Sequence, residues 1–276
     1  MKKRNSQSII VIGAGSMGTA LIEGFIRSKQ LRPGQITALD NNRKRLRSIR
    51  RQYPVVTTVD YSHVAGHSAI IFAVKPQQMR SAVSSVKNYV HPRHLVLSIA
   101  AGISTDFLGK LIGQSLPIIR AMPNTPALIR QGAIGIAAGR YAKKMHMQYA
   151  TKLLSSVGLV VSVSERLINA VTAISGSGPA YVFFLAEAMI NAGKQMGLSD
   201  DIASQLTIQT LYGSSRLMQD TKLPPKHCRQ QVTSPGGTTE AALMIMEKGS
   251  VQKTLIKAFH RANKRACEIA KKIQGK

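Results

Sequence analysis

Apolar and polar positions change rhythm once along this chain. Through the first half, short apolar runs alternate with stretches of helical period. The runs are Ser8–Ile12, Ile36–Asp40, Val55–Thr58, Ala69–Val74, Leu95–Ala100, Leu116–Ala121, Gly132–Ala138 and Leu159–Val163. Between them, Thr19–Ser28, Arg43–Gln52, Gln78–Tyr89, Thr105–Ile112 and Lys143–Ser156 repeat their apolar residues at helical spacing. Short buried runs separated by helices predict a parallel sheet covered on both faces.

Beyond Val163 no strand pattern remains. Helices are predicted over Glu165–Thr172, Pro179–Met196, Asp200–Gln219, Pro225–Val232, Thr238–Lys248 and Val251–Lys272. Breakers separate them at Ser175–Gly178, Gly197, Pro224-Pro225 and Ser234–Gly237. The expected organisation is an α/β domain over residues 1–164 and an all-α domain over 165–276. Tyr181–Met196 and Ile202–Met218 are apolar over much of their circumference, and such helices need several partners. A second chain is expected to supply some of them.

The first turn carries chemistry. Gly13-Ala-Gly15-Ser16-Met17-Gly18 follows the first strand and opens a helix. Gly13 permits a tight turn, Gly15 lets backbone approach a pyrophosphate, and Gly18 allows close helix–strand packing. Free N–H groups at the helix start suit phosphate. Dinucleotide binding is the expectation; an ordinary tight turn is the bland reading.

Cofactor choice is contested within one turn. Asp40 ends the second strand, where an acid would bind the ribose of NAD; it could instead cap the next helix. Asn41, Asn42, Arg43, Lys44 and Arg45 follow at once, and an Arg here suits the 2′-phosphate of NADP. Three cations against one carboxylate incline the reading to NADPH over NADH.

Other strand ends should border the cofactor, because ligands of open parallel sheets sit beyond the carboxyl ends of the strands. Ala73-Val74-Lys75-Pro76 is one such end and Met122-Pro-Asn124-Thr-Pro126 another. Lys75 is either an anion contact or a surface lysine before proline. Asn124 either faces the nicotinamide or stiffens a turn. In the helical half, Val232-Thr-Ser234-Pro-Gly-Gly237-Thr238-Thr239-Glu240 enters a helix through a glycine pair. The N–H groups of Gly237, Thr238 and Thr239 offer a seat for a small carboxylate, and Glu240 stands at a capping position.

Composition adds constraints. The 276 residues include two cysteines, Cys228 and Cys267, which fit neither a zinc spacing nor a disulfide framework. The opening Met-Lys-Lys-Arg and the apolar run after it resemble a short signal sequence, but that run leads into the glycine loop and is read as a strand. No run of about 18 consecutive apolar residues suggests a membrane span, so a cytoplasmic protein is expected. The net charge of +26 is unusual. Arg43–Arg51 forms one basic cluster and Lys248–Lys276 another, without interleaved aromatics or a nucleic-acid motif. Weak attraction to polyanions follows, but no specific nucleic-acid partner.

In order along the chain, Gly13–Gly18, Ala73–Pro76, Ala100-Ala101-Gly102, Ala121–Pro126, Ser155–Gly158, Ser175-Gly-Ser-Gly-Pro-Ala-Tyr181 and Ser234–Thr239 resemble the pyrroline-5-carboxylate reductase family. The last two segments are the most specific. The resemblance implies a Rossmann-like doubly wound parallel sheet followed by an all-α dimerisation domain. It implies reduction of 1-pyrroline-5-carboxylate to L-proline by NADPH or NADH, in a homodimer commonly built into a decamer.

By the same resemblance, Val232, Ser234, Gly237, Thr238 and Thr239 bind substrate, with Thr239 beside the ring nitrogen as the catalytic candidate. Gly13, Gly15, Ser16, Met17, Gly18, Asn41, Arg43, Ala73, Val74, Lys75, Pro76, Ala100, Ala101, Gly102 and Asn124 bind the cofactor; no metal is implied. The family's usual Asp before the substrate segment is replaced here, in Cys228-Arg229-Gln230. Two alternatives remain. A β-hydroxyacid dehydrogenase would carry a lysine early in the helix after Pro179, yet no lysine occurs between Lys152 and Lys194. A non-catalytic nucleotide-sensing or nucleic-acid-binding protein on the same fold would account for the charge.

Overall fold

The computed structural model describes residues 8–275. The basic run Met1–Arg4, read above as preceding the first strand, lies outside them, as does Lys276. Eight strands form one sheet: β1 (Ile9–Ile12), β2 (Ile36–Leu39), β3 (Val56–Thr58), β4 (Ala69–Phe72), β5 (Leu95–Ser98), β6 (Ile118–Met122), β7 (Gly132–Ala138) and β8 (Gly158–Ser162). The order is β3-β2-β1-β4-β5-β6-β7-β8. Helices α1 (Ser16–Arg27), α2 (Arg43–Gln52), α3 (Met79–Val86), α4 (Thr105–Ile112) and α5 (Lys144–Leu154) connect strands.

Two-residue periodicity sends alternate side chains to opposite faces. Ile9, Val11 and Ile71 join a core with Leu21 and Phe25 of α1. Ile10, Ile12, Ile70 and Phe72 join a second core with Val83 of α3 and Leu108 of α4. Strands buried on both faces explain the unbroken apolar runs. The sheet departs from all-parallel at β7, which pairs antiparallel to β6. The connection there is a single 3₁₀ turn, Thr125–Ile129, and a parallel return needs a crossover of a dozen or more residues.

The chain packs as two compact units. One runs through Ser177 and takes the chain up again from Ala262; the other is Gly178–Arg261. After β8, the first unit continues through a short α6 (Ile168–Val171) and a π-helical turn, Thr172–Gly176. The second contains α7 (Gly178–Gln195), α8 (Asp200–Thr221), α9 (Pro225–Gln231), α10 (Thr238–Lys248) and the first part of α11 (Val251–Gln274). Within it, a Cβ on Gly193 would lie 3.1 Å from that of Ala203, which shows how closely α7 and α8 approach. Tyr181 meets Phe259 edge-on, with ring centroids 4.9 Å apart.

Large apolar side chains of this unit stay exposed, among them Phe183 (61%), Phe184 (73%) and Met196 (77%). Among the described residues one helical stretch, Glu165–Gln195, is long and apolar enough to cross a membrane. Sequence reading broke this stretch at Ser175–Gly178, so its length is a product of the structure.

Candidate functional site

The glycine loop is built as its spacing predicts. Gly13 has φ +105°, and a Cβ there would lie 2.7 Å from the Ala73 carbonyl oxygen. A Cβ on Gly18 would collide with the Gly13 carbonyl oxygen. Gly15 has open space around its Cβ position. It occupies the N-cap position of α1 and brings no side chain to the first N–H groups, those of Ser16, Met17 and Gly18. Two glycines therefore serve packing, and the third leaves room for a ligand.

A cleft of about 460 Å³ opens here, lined by Ala14, Gly15, Ser16, Thr19, Arg45 and Gln52 among others. Arg45, Ser48, Ile49 and Gln52 reach it from one face of α2. Sequence reading placed Gly15 and Ser16 of these at the cofactor and offered Arg45 for its 2′-phosphate. The signal for Ser48, Ile49 and Gln52 was their i+3, i+4, i+7 spacing from Arg45 along α2. A second cavity of about 410 Å³, between Thr105 and Tyr141, contains none of the candidate residues.

Asp40 is already engaged. It accepts from the N–H of Ala14 at 2.7 Å and from that of Asn42 at 2.7 Å, and Arg45 lies 3.5 Å away. It does not cap α2. Asn42 does, accepting from the N–H groups of Lys44 and Arg45. Arg43 and Lys44 remain exposed at the helix start, and the Tyr61 hydroxyl donates to Asn41 Oδ1 at 2.6 Å.

The remaining strand ends share this edge of the sheet. Ala73 and Val74 pack against Gly13, Lys75 is exposed, and Pro76 starts a 3₁₀ turn. Ala100 is buried and Ala101 half-buried. Gly102 (φ +75°) is covered by Ala270, and its carbonyl accepts from Gln274 Nε2 at 2.8 Å. Asn124 is buried. Its Oδ1 accepts from the N–H of Ala133 at 2.9 Å, and its Nδ2 donates to the Ser175 carbonyl at 3.0 Å.

In the second unit, Gly236 has φ +70°, and the chain enters α10 through Gly237. The Gly237 N–H closes onto the Ser234 carbonyl at 3.0 Å, and Glu240 accepts from the Gly236 N–H at 2.7 Å. Glu240 thus fastens the residue before the N-cap. The first intrahelical bond comes from the Ala241 N–H, which leaves the N–H groups of Thr238, Thr239 and Glu240 directed out of the helix start. Of the three donors expected from sequence, Thr238 and Thr239 remain and Gly237 is committed. Val232 and Ser234 are exposed, and Thr239 is half-buried.

Known proteins align with both units. Residues 165–269 match the family described as pyrroline-5-carboxylate reductase dimerisation. Residues 8–102 match the one described as NADP oxidoreductase, coenzyme F420-dependent. A pyrroline-5-carboxylate reductase of Pseudomonas aeruginosa is 38% identical over 96% of this chain and 97% of its own. The solved structure of a pyrroline-5-carboxylate reductase from Coxiella burnetii superposes with a TM-score of 0.91 at 36% identity, covering 96% and 99% of the two chains. That of a Plasmodium falciparum pyrroline carboxylate reductase with NADP bound gives 0.84 at 27%, covering 95% and 98%. A glycine loop followed by a dimerisation module that contains the α10 start, with such kinship along nearly the whole chain, places the protein in the pyrroline-5-carboxylate reductase family.

Proposed function

We propose that this protein reduces 1-pyrroline-5-carboxylate to L-proline with NAD(P)H. The observation that carries the reading is 38% identity to a pyrroline-5-carboxylate reductase over 96% of the chain. The open space at Gly15 and the outward N–H groups of Thr238 and Thr239 support it, because an anionic cofactor and a small carboxylate need such seats.

The bound cofactor supplies the hydride, which goes to the imine carbon while the ring nitrogen takes a proton. The protein's part is binding and orientation. In this reading the Gly13–Gly18 loop and the start of α1 hold the pyrophosphate. Arg43, with Lys44 and Arg45, holds a 2′-phosphate, which makes NADPH the preferred cofactor. Asn41 and the turns at Ala73–Pro76 and Ala100–Gly102 border it. The N–H groups of Thr238 and Thr239 hold the substrate carboxylate, Val232, Ser234 and Gly237 border it, and the Thr239 hydroxyl steadies the ring nitrogen. That hydroxyl is too weak an acid at neutral pH to be an obligatory proton source, and a protonated imine is already electrophilic.

The protein works as a homo-oligomer. In the same reading a homodimer covers the exposed apolar faces of α7 and α8, including that of the Glu165–Gln195 stretch, and the enzyme is a cytoplasmic one. Assembly of dimers into a decamer is part of the same reading. Two measurements test it. The purified protein should oxidise NADPH on addition of 1-pyrroline-5-carboxylate and release L-proline, and light scattering at micromolar concentration should show more than one chain. Absence of substrate-dependent oxidation would overturn the activity, and a monomer would overturn the assembly.

A further inference from the structure

The helical backbone from Ile168 to Gln195 contains a defect that one distant side chain repairs. In the π turn Thr172–Gly176, the Ser177 N–H reaches back five residues to the Thr172 carbonyl at 2.8 Å. Four residues beyond Ser175 stands Pro179, which has no N–H to give. The Ser175 carbonyl is therefore deprived of its ordinary helical donor, at a half-buried place where a backbone acceptor still needs a partner. Asn124 supplies the bond, from Nδ2 at 3.0 Å. The other end of the same amide accepts from the N–H of Ala133, at the start of β7. At 8% exposure Asn124 is buried, and both ends of its amide are engaged.

The turn that it holds lies over the carboxyl end of β6. A Cβ on Gly176 would lie 2.7 Å from Met122 Cε, and one on Gly135 would lie 2.7 Å from Val171 Cγ1. The Ser175 and Thr172 hydroxyls turn back to the Val171 and Ile168 carbonyls, so nothing else in these bonds ties the turn to the sheet edge. π turns of this kind are common at functional sites, because they offset a helix by one residue.

We propose that Asn124 is a positioning residue. It fixes the π turn Thr172–Gly176 against the end of β6, as the wall beside the nicotinamide, and does not itself bind the cofactor. This inference rests on the reductase reading above. Two variants separate the contributions. Asn124→Asp keeps the acceptor for Ala133 and removes the donor for Ser175. Asn124→Ala removes both.

With NADPH and 1-pyrroline-5-carboxylate, both variants are expected to lose about tenfold or more in kcat, the scale on which misplacement acts. The NADPH dissociation constant should change by less than about threefold, well under one decade of affinity. With NADPH deuterated at C4, the isotope effect on kcat should rise, because hydride transfer becomes the slow step. A merely structural role would lower thermal stability and leave kcat and the isotope effect of the folded enzyme at wild-type values; that result in Asn124→Asp overturns the proposal. A large loss of NADPH affinity would make Asn124 a direct cofactor contact and overturn it equally. An inactive wild-type protein would instead sink the reductase reading.

Discussion

The Asp40 carboxylate accepts the backbone N–H of Ala14 at 2.7 Å, across 26 residues of sequence, and so ties the glycine loop to the end of β2. Its second oxygen takes the N–H of Asn42. An acid at this place invites a role on the cofactor ribose; here its bonds go to backbone.

Asp40→Ala should therefore loosen the loop itself. Hydrogen bonds to a charged group contribute about 1.5–3 kcal/mol each, so a fall in Tm of several degrees is expected. NADPH and NADH should weaken together. Arg43→Ala should instead weaken NADPH far more than NADH, because only NADPH carries the 2′-phosphate. Titration of both cofactors against both variants checks this. Equal effects of Arg43→Ala on the two cofactors would shift the phosphate contact to Lys44 or Arg45.

Gly15 and Gly18 should respond in opposite ways. A Cβ at Gly15 meets nothing within 4 Å in the protein, so Gly15→Val should cost Tm only the small loss of a poorer N-cap while NADPH affinity falls by more than about tenfold. Gly18→Ala drives a methyl into the Gly13 carbonyl, so its first effect should be on stability. Thermal melts and cofactor binding, measured on both variants, decide. Normal NADPH affinity in Gly15→Val would refute the loop assignment.

Thr239→Ala removes a hydroxyl and keeps the backbone donors at the start of α10. If the hydroxyl faces the ring nitrogen, kcat/KM should fall about tenfold to a hundredfold, the loss of one hydrogen bond to a charged group. L-proline should bind more weakly, with NADPH affinity little changed. A drop in Tm with unchanged kcat/KM would make Thr239 a helix-start residue only.

His94 gives the fold a pH dependence. The residue is fully buried, and its Nδ1 accepts from the His91 N–H at 3.0 Å. Burial, then the charges of Arg93 and His91, push its pKa down to about 4 from 6.5. Above pH 6.5 the ring is neutral in both the folded and the unfolded chain, and its titration costs nothing. As pH falls from 6.5 towards 4, the unfolded chain takes up a proton that the folded chain refuses. Stability should drop over that window by on the order of 2–3 kcal/mol. His94→Leu should be less stable at pH 7, because the His91 N–H loses its acceptor. Its melting temperature should also vary less between pH 6.5 and 4. An unchanged pH profile in the variant would remove His94 from this role.

Much of the architecture was decided by local pattern. Eight apolar runs became eight strands within a residue or two, and Arg43–Gln52, Thr105–Ile112 and Thr238–Lys248 fold over the predicted spans, because periodicity and breakers act over a few residues. The glycine loop was legible for the same reason: the spacing of Gly13, Gly15 and Gly18 is local, and Gly18 packs on the Gly13 carbonyl five residues back, although Ala73 at the end of β4 also crowds Gly13.

Long-range hydrogen bonding was not legible. Sequence allowed Asp40 to bind ribose or cap α2, and only the folded chain brings it the Ala14 N–H and leaves the cap to Asn42. It allowed Asn124 to face a cofactor or stiffen a turn, and only the fold brings it Ser175, 51 residues on. The same holds for the reversal of β7 and for the Gly237 N–H spent on Ser234. A residue's type sets which bonds its side chain is able to make. Which buried donor or acceptor lacks a partner beside it is settled when distant segments pack, since every buried polar backbone group must then be satisfied.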